Sequence, residues 1–119
     1  MLNFEEACDA LELLVQELPS EILRGLNCGV VMLNKTEYDT NGLLVLGRYY
    51  FEPRGLGRYI NIYYGSIRAV YWYSPKDIFI KKITEVLHHE LTHHLEHLAG
   101  DRTLERQDEI DKIKYLMKA

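Results

Sequence analysis

Apolar residues recur at helical spacing from the start of the chain, where Phe4, Ala7, Cys8, Leu11, Leu14, Val15 and Leu18 fall on one stripe. Asn3 followed by Glu6 has the form of a capping box, and Pro19 stops the run. These features predict an amphipathic helix, with one more short turn from Ser20 through Arg24. Cys28 to Leu33 is rich in β-branched and aliphatic residues and predicts a strand. Polar residues from Asn34 to Gly42 predict a loop. Leu43 to Phe51 then reads as a second strand, Pro53 to Gly57 as a turn, and Tyr59 to Tyr64 as a third strand. Gly55 and Gly57 suit a hairpin, because no Gly-Lys-Ser/Thr end follows them and no helix opens there, as a phosphate-cradling loop would need.

The pattern changes at Ser74-Pro75-Lys76-Asp77, where a capping hydroxyl, a proline and an acid mark a helix start. Phe79, Ile83, Val86, Leu87, Leu91, Leu95 and Leu98 form its apolar stripe, and Gly100 is placed to end it in a left-handed conformation. Thr103 to Lys118 predicts a last helix. No repeat or low-complexity segment interrupts the chain. The expectation is a single α+β domain over residues 1–119, with an N-terminal helix, a small sheet and two closing helices.

Composition narrows the function classes. Hydrophobic residues at 47% and charged residues at 27% give the chain enough apolar surface for one core. The formal net charge of -4, from 14 basic and 18 acidic residues, lacks the positive field that draws a protein to nucleic acid or anionic membranes. Glu5 and Glu6 stand where a secretory signal carries basic residues, and no apolar run approaches the roughly 20 residues that cross a bilayer. A cytoplasmic location is expected. Cys8 and Cys28 lack the density of a disulfide scaffold and are expected to be reduced and buried.

All five histidines, His88, His89, His93, His94 and His97, fall within ten residues of the helix predicted to start at Ser74. Within them stands His89-Glu90-Leu91-Thr92-His93, an HExxH string. Residues four apart on a helix have Cβ atoms roughly 5–6 Å apart, so His89 and His93 can converge on one zinc ion. Glu90 is turned about 100° from His89. It leaves the ion free and is placed to act as general base toward a water molecule, which makes metal-assisted hydrolysis the chemistry the string implies. His88, His94 and His97 stay outside the ligand set, as exposed helix residues or outer donors. Two other readings compete: a catalytically silent, zinc-stabilised module that binds another protein, and a metal-free helical interaction domain.

A catalytic zinc usually takes three protein ligands. Gly100 lies seven residues past His93, or about 10 Å along the helix at 1.5 Å per residue. A returning antiparallel helix retraces that distance near Asp108, the preferred third ligand. Asp101 and Glu96 are its rivals.

Taken together, these segments resemble the small zincin-like metallopeptidase family of bacteria. The resemblance rests on Glu17-Leu18-Pro19, Gly29-Val30-Val31-Met32, Leu46-Gly47-Arg48-Tyr49, Ile60-Asn61-Ile62-Tyr63 and the doubled histidine of His89-Glu90-Leu91-Thr92-His93-His94. It implies a minimal zincin-like fold with a small mixed β-sheet, a zinc ion on His89 and His93, Glu90 as catalytic base, and a peptide or protein substrate. Many members follow the histidines with Phe-Gly and a closely spaced acid. Here Leu95-Glu96-His97-Leu98-Ala99-Gly100 intervenes. By analogy with zincins, Tyr59 to Tyr64 is the expected edge for an extended substrate. Tyr63 and Tyr64 stay outside the catalytic set, since tyrosine suits strands on packing grounds alone.

Overall fold

The structure is a computed structural model and describes residues 1–100. The predicted helix over Thr103 to Lys118 lies outside the described residues.

The opening helix α1 (Phe4–Gln16) starts as its sequence dictates. The Asn3 side chain accepts from the Glu6 N–H at 2.8 Å, and the Glu6 carboxylate accepts from the Asn3 N–H at 2.9 Å. The short turn α2 (Ser20–Leu23) follows Pro19. Then come β1 (Val30–Leu33), β2 (Glu37–Tyr38), β3 (Leu44–Val45), β4 (Gly47–Glu52), β5 (Gly57–Tyr63), α3 (Tyr64–Tyr71) and the long α4 (Lys76–Ala99).

Three strands form one mixed sheet in the order β1-β5-β4, with β1 parallel and β4 antiparallel to the central β5. Side chains alternate across it. Met32, Ile60 and Ile62 point to one face and pack with Ala7 and Leu11 of α1 and with Phe79, Ile83, Leu87 and Leu91 of α4. The other face carries tyrosines: Tyr50 stacks on Tyr59 at 4.9 Å, and the Tyr50 and Tyr63 hydroxyls are 2.6 Å apart. Tyr59 hydrogen-bonds Glu52. No helix among the described residues is long and apolar enough to cross a membrane.

Several local expectations are corrected. The run from Leu43 to Phe51 is two strands, because Leu46 breaks it: β3 pairs with β2 in a separate antiparallel ribbon, and β4 joins the sheet. The segment from Asn34 to Gly42 therefore contains β2. Its turn is closed by the Asp39 carboxylate, which accepts from the N–H groups of Asn41 and Leu43. The helix α3 follows β5 directly, although its aromatic start suits a strand by residue type. Ser74 does not cap α4. Pro75 holds the cap position without a side-chain bond, and the Ser74 carbonyl accepts from the Met1 amino group at 2.6 Å. Gly100 ends α4 with φ at -56°, in the right-handed region, and its N–H still reaches the Glu96 and His97 carbonyls. Both cysteines are free thiols, but Cys28 is exposed in the loop before β1, while Cys8 is half-buried on α1.

The sharp passage from β5 to α3 depends on Gly65, whose N–H donates to the Lys35 carbonyl at 3.0 Å. A Cβ there would stand 2.4 Å from Thr36 Oγ1 and 2.7 Å from the Lys35 carbonyl group. Gly65→Ala is expected to destabilise the fold by about 1–3 kcal/mol. Urea unfolding checks this; an unchanged midpoint would show that the loop before β2 yields freely.

Candidate metal centre

The i, i+4 spacing on α4 brings the imidazoles of His89 and His93 together. Their Nε2 atoms are 3.1 Å apart, with rings nearly perpendicular at 87° and centroids 4.7 Å apart. Both residues are exposed. Two ligands in a tetrahedral zinc site, with Zn–N of about 2.0–2.1 Å, stand roughly 3.3–3.4 Å apart. The pair therefore fits a shared ion with little adjustment, and nitrogen donors suit zinc. Among the described residues, no third histidine, cysteine or acid completes a three-ligand group. Asp108 and Asp101 lie outside the described residues. Glu96 is exposed and lines the same cleft as His89 and His93.

Glu90 lies one step around the helix, where α4 meets the sheet, and only 6% of it is exposed. Burial pushes its carboxyl above the usual carboxylate range. The imidazoles of His89 and His93, the Tyr49 backbone amide and Arg48 pull it the other way. A carboxyl poised by such opposing influences suits a group that takes up and releases a proton.

Gly47 makes this closeness possible. A Cβ at Gly47 would stand 2.6 Å from Val86 Cγ1 and 3.3 Å from Glu90 Cγ, so only a bare backbone lets β4 lie this close to α4. A glycine inside a strand run is the sequence signal for such an approach. Cavities flank it on both sides. One, of about 400 Å³, adjoins Val45, Leu46 and Val86, and the other, of about 640 Å³, adjoins Arg48, Tyr49 and His97; both reach His89 and Glu90.

The strand that borders the site is β4. Tyr59 to Tyr64 does not form the edge: β5 is the central strand, held on both sides, and β4 presents the edge beside α4. Tyr63 and Tyr64 are likewise held elsewhere. The Tyr63 hydroxyl meets Tyr50, and the Tyr64 hydroxyl donates to the Leu2 carbonyl in the core.

The remaining histidines differ from expectation most at His94, which is fully buried. Its Nε2 is 2.7 Å from the Arg24 carbonyl, an acceptor only, so that nitrogen carries the hydrogen, and Nδ1 accepts from the Tyr49 hydroxyl at 3.0 Å. Burial lowers its pKa, which keeps the ring in the neutral form that this pairing needs. His94 is thus neither an exposed residue nor a ligand. It ties α4 to the loop after α2 and to β4. His97 is half-buried and packs its edge on Phe51 at 4.5 Å. His88 is half-buried on another side of α4, beside Leu18 and Ile22.

A solved structure of a conserved hypothetical protein from Thermus thermophilus superposes with a TM-score of 0.73 at 32% sequence identity, covering 84% of this chain and 100% of that one. The chain belongs to the family of that protein. No family model and no curated protein matches the sequence. Membership in the family supports the small α+β fold, and the chemistry rests on the residues of the site.

His94→Phe keeps an aromatic ring but removes the hydrogen bonds to the Arg24 carbonyl and the Tyr49 hydroxyl. A loss of about 1–3 kcal/mol in denaturant unfolding is expected from the two lost bonds. A loss below about 0.5 kcal/mol would mean that neither bond matters to the fold.

Proposed function

We propose that this chain is a zinc-dependent metallopeptidase of minimal zincin-like fold. The observation that carries the reading is the pair of exposed imidazole nitrogens 3.1 Å apart, next to a buried carboxyl that does not share their position. His89 and His93 would hold the ion, with an acid as the third ligand. A bound zinc ion supplies Lewis acidity, polarising a carbonyl and lowering the pKa of water.

The protein's own residues supply the rest. Glu90 accepts the proton of the attacking water and delivers it to the leaving amine of the cleaved amide. Its burial between β4 and α4 raises its affinity for that proton, an effect partly offset by the Tyr49 backbone amide and Arg48. The edge of β4 offers backbone groups to an extended peptide, in the manner of strand addition. A peptide so placed passes directly over Gly47, where no side chain holds it away from Glu90.

Untagged protein is expected to bind one zinc ion per chain, and His89→Ala and His93→Ala are each expected to lose it, as read by metal analysis after dialysis. Glu90→Gln is expected to keep the zinc and lose hydrolysis by roughly 10²–10⁴-fold. If Glu90→Gln cleaved peptides at the parent's rate, Glu90 would not be the base.

A further inference from the structure

The sheet has a second edge. β1 lies across β5 from β4 and from the candidate metal centre, and among the described residues no strand pairs with its outer side. The Ile60 N–H donates to the Gly29 carbonyl at 3.0 Å, and in a parallel ladder the residues of one strand turn their N–H and C=O groups alternately toward and away from the partner. The N–H and C=O groups of Val30 and Met32 therefore face away from β5. Proteins usually blunt such an edge with charges, proline or a bulge. β4 carries Arg48 and Glu52, whereas β1 is Val-Val-Met-Leu, with Val31 41% exposed on the outer face of the sheet.

Beside this edge runs a groove of about 380 Å³, where Cys8, Leu11 and Val15 of α1 meet Val30 and Met32. Glu12 and Gln16 form its rim. Glu5 and Asp9 continue the stripe of Glu12 along α1 at helical spacing, and all three acids are exposed. None of the three joins an ion pair among the described residues, whereas Glu6, on another face of the helix, holds Lys76. Burial, then Asp9 and Glu5, push the Cys8 thiol up, so the negative charge of the stripe is felt inside the groove.

We infer that β1 and this groove form a docking site for an extended basic segment of a partner protein, which adds to β1 as a fourth strand. The outward groups of Val30 and Met32 supply its main-chain hydrogen bonds. Side chains on one face of an added strand stand about 6.6 Å apart, two residues at roughly 3.3 Å each. One aliphatic side chain fills the groove, and a Lys or Arg two positions away lays its stem along the apolar wall and brings its charge to the acidic stripe. A second copy of this chain fits poorly, because two-fold pairing of β1 with β1 would set two acidic stripes side by side on one face of the joined sheet.

The test uses the full-length chain and an eight-residue peptide, Thr-Val-Thr-Lys-Thr-Val-Thr-Lys, beside a counterpart with Glu for Lys. The Lys peptide is expected to bind more tightly, to shift the NMR signals of the Val30 and Met32 amides and slow their hydrogen exchange, and to leave those of β4 unchanged. N-methylation of one alternate set of peptide amides is expected to abolish binding, and of the other set to leave it, since an added strand pairs through one edge. Asp9→Lys with Glu12→Lys is expected to weaken the Lys peptide at least about tenfold and to turn the preference toward Glu. Both positions are exposed, and the unfolding midpoint verifies the fold. No binding, equal affinity for the two peptides, or shifts confined to β4 and α4 overturns the inference. So does slow exchange at Val30 and Met32 without peptide: a dimer in sedimentation would then place a second copy on the edge, and a monomer would place the chain itself there.

Discussion

The organisation of the site depends on a neutral imidazole in the interior. His94 is a polar ring with no exposure, held by one hydrogen bond to the Arg24 carbonyl and one from the Tyr49 hydroxyl. Its two bonds reach a loop and a strand that are distant in sequence. Tyr49 belongs to β4, the strand bearing Gly47, so the ring that anchors α4 also fixes where the bare backbone of β4 crosses Glu90. Removing either bond leaves a buried polar group unpaired, which costs far more than the net value of the bond itself. The packing of helix on sheet is thereby restricted to one alignment.

Much of the architecture was legible in the sequence. The capping box at Asn3 and Glu6, the apolar stripes of α1 and α4, and the hairpin at Gly57 are local codes, and each appears where its residues dictate. The α+β class with a small sheet followed from them. The misreadings came where tertiary contacts prevail over propensity. Tyr64 and its aromatic neighbours are strand-forming by type, yet the chain turns into α3 because Gly65 can press against the Lys35 backbone. The central place of β5 depends on a parallel partner supplied much earlier in the chain, and periodicity within one segment carries no information on that pairing.

The candidate site divides along the same line. The convergence of His89 and His93 was readable, because it needs only helical spacing. The burial of Glu90 and the brace at His94 were not, since both come from contacts made by β4 and by the Arg24 loop. The interior position of the strand glycine was the trace that pointed there. The doubled histidine carried a further hint: the residue after His93 turns another 100° around the helix and faces the protein rather than the cleft.

A division of labour follows from the way α4 is built. The nitrogen pair is set by a single helical turn and needs little else, whereas the environment of the carboxyl exists only when strand and helix are docked. On the proposed reading, two of the metal's ligands depend on local order alone, and proton transfer depends on the assembled domain. A partly folded chain that retains this helix would keep the nitrogen pair together while lacking the buried carboxyl.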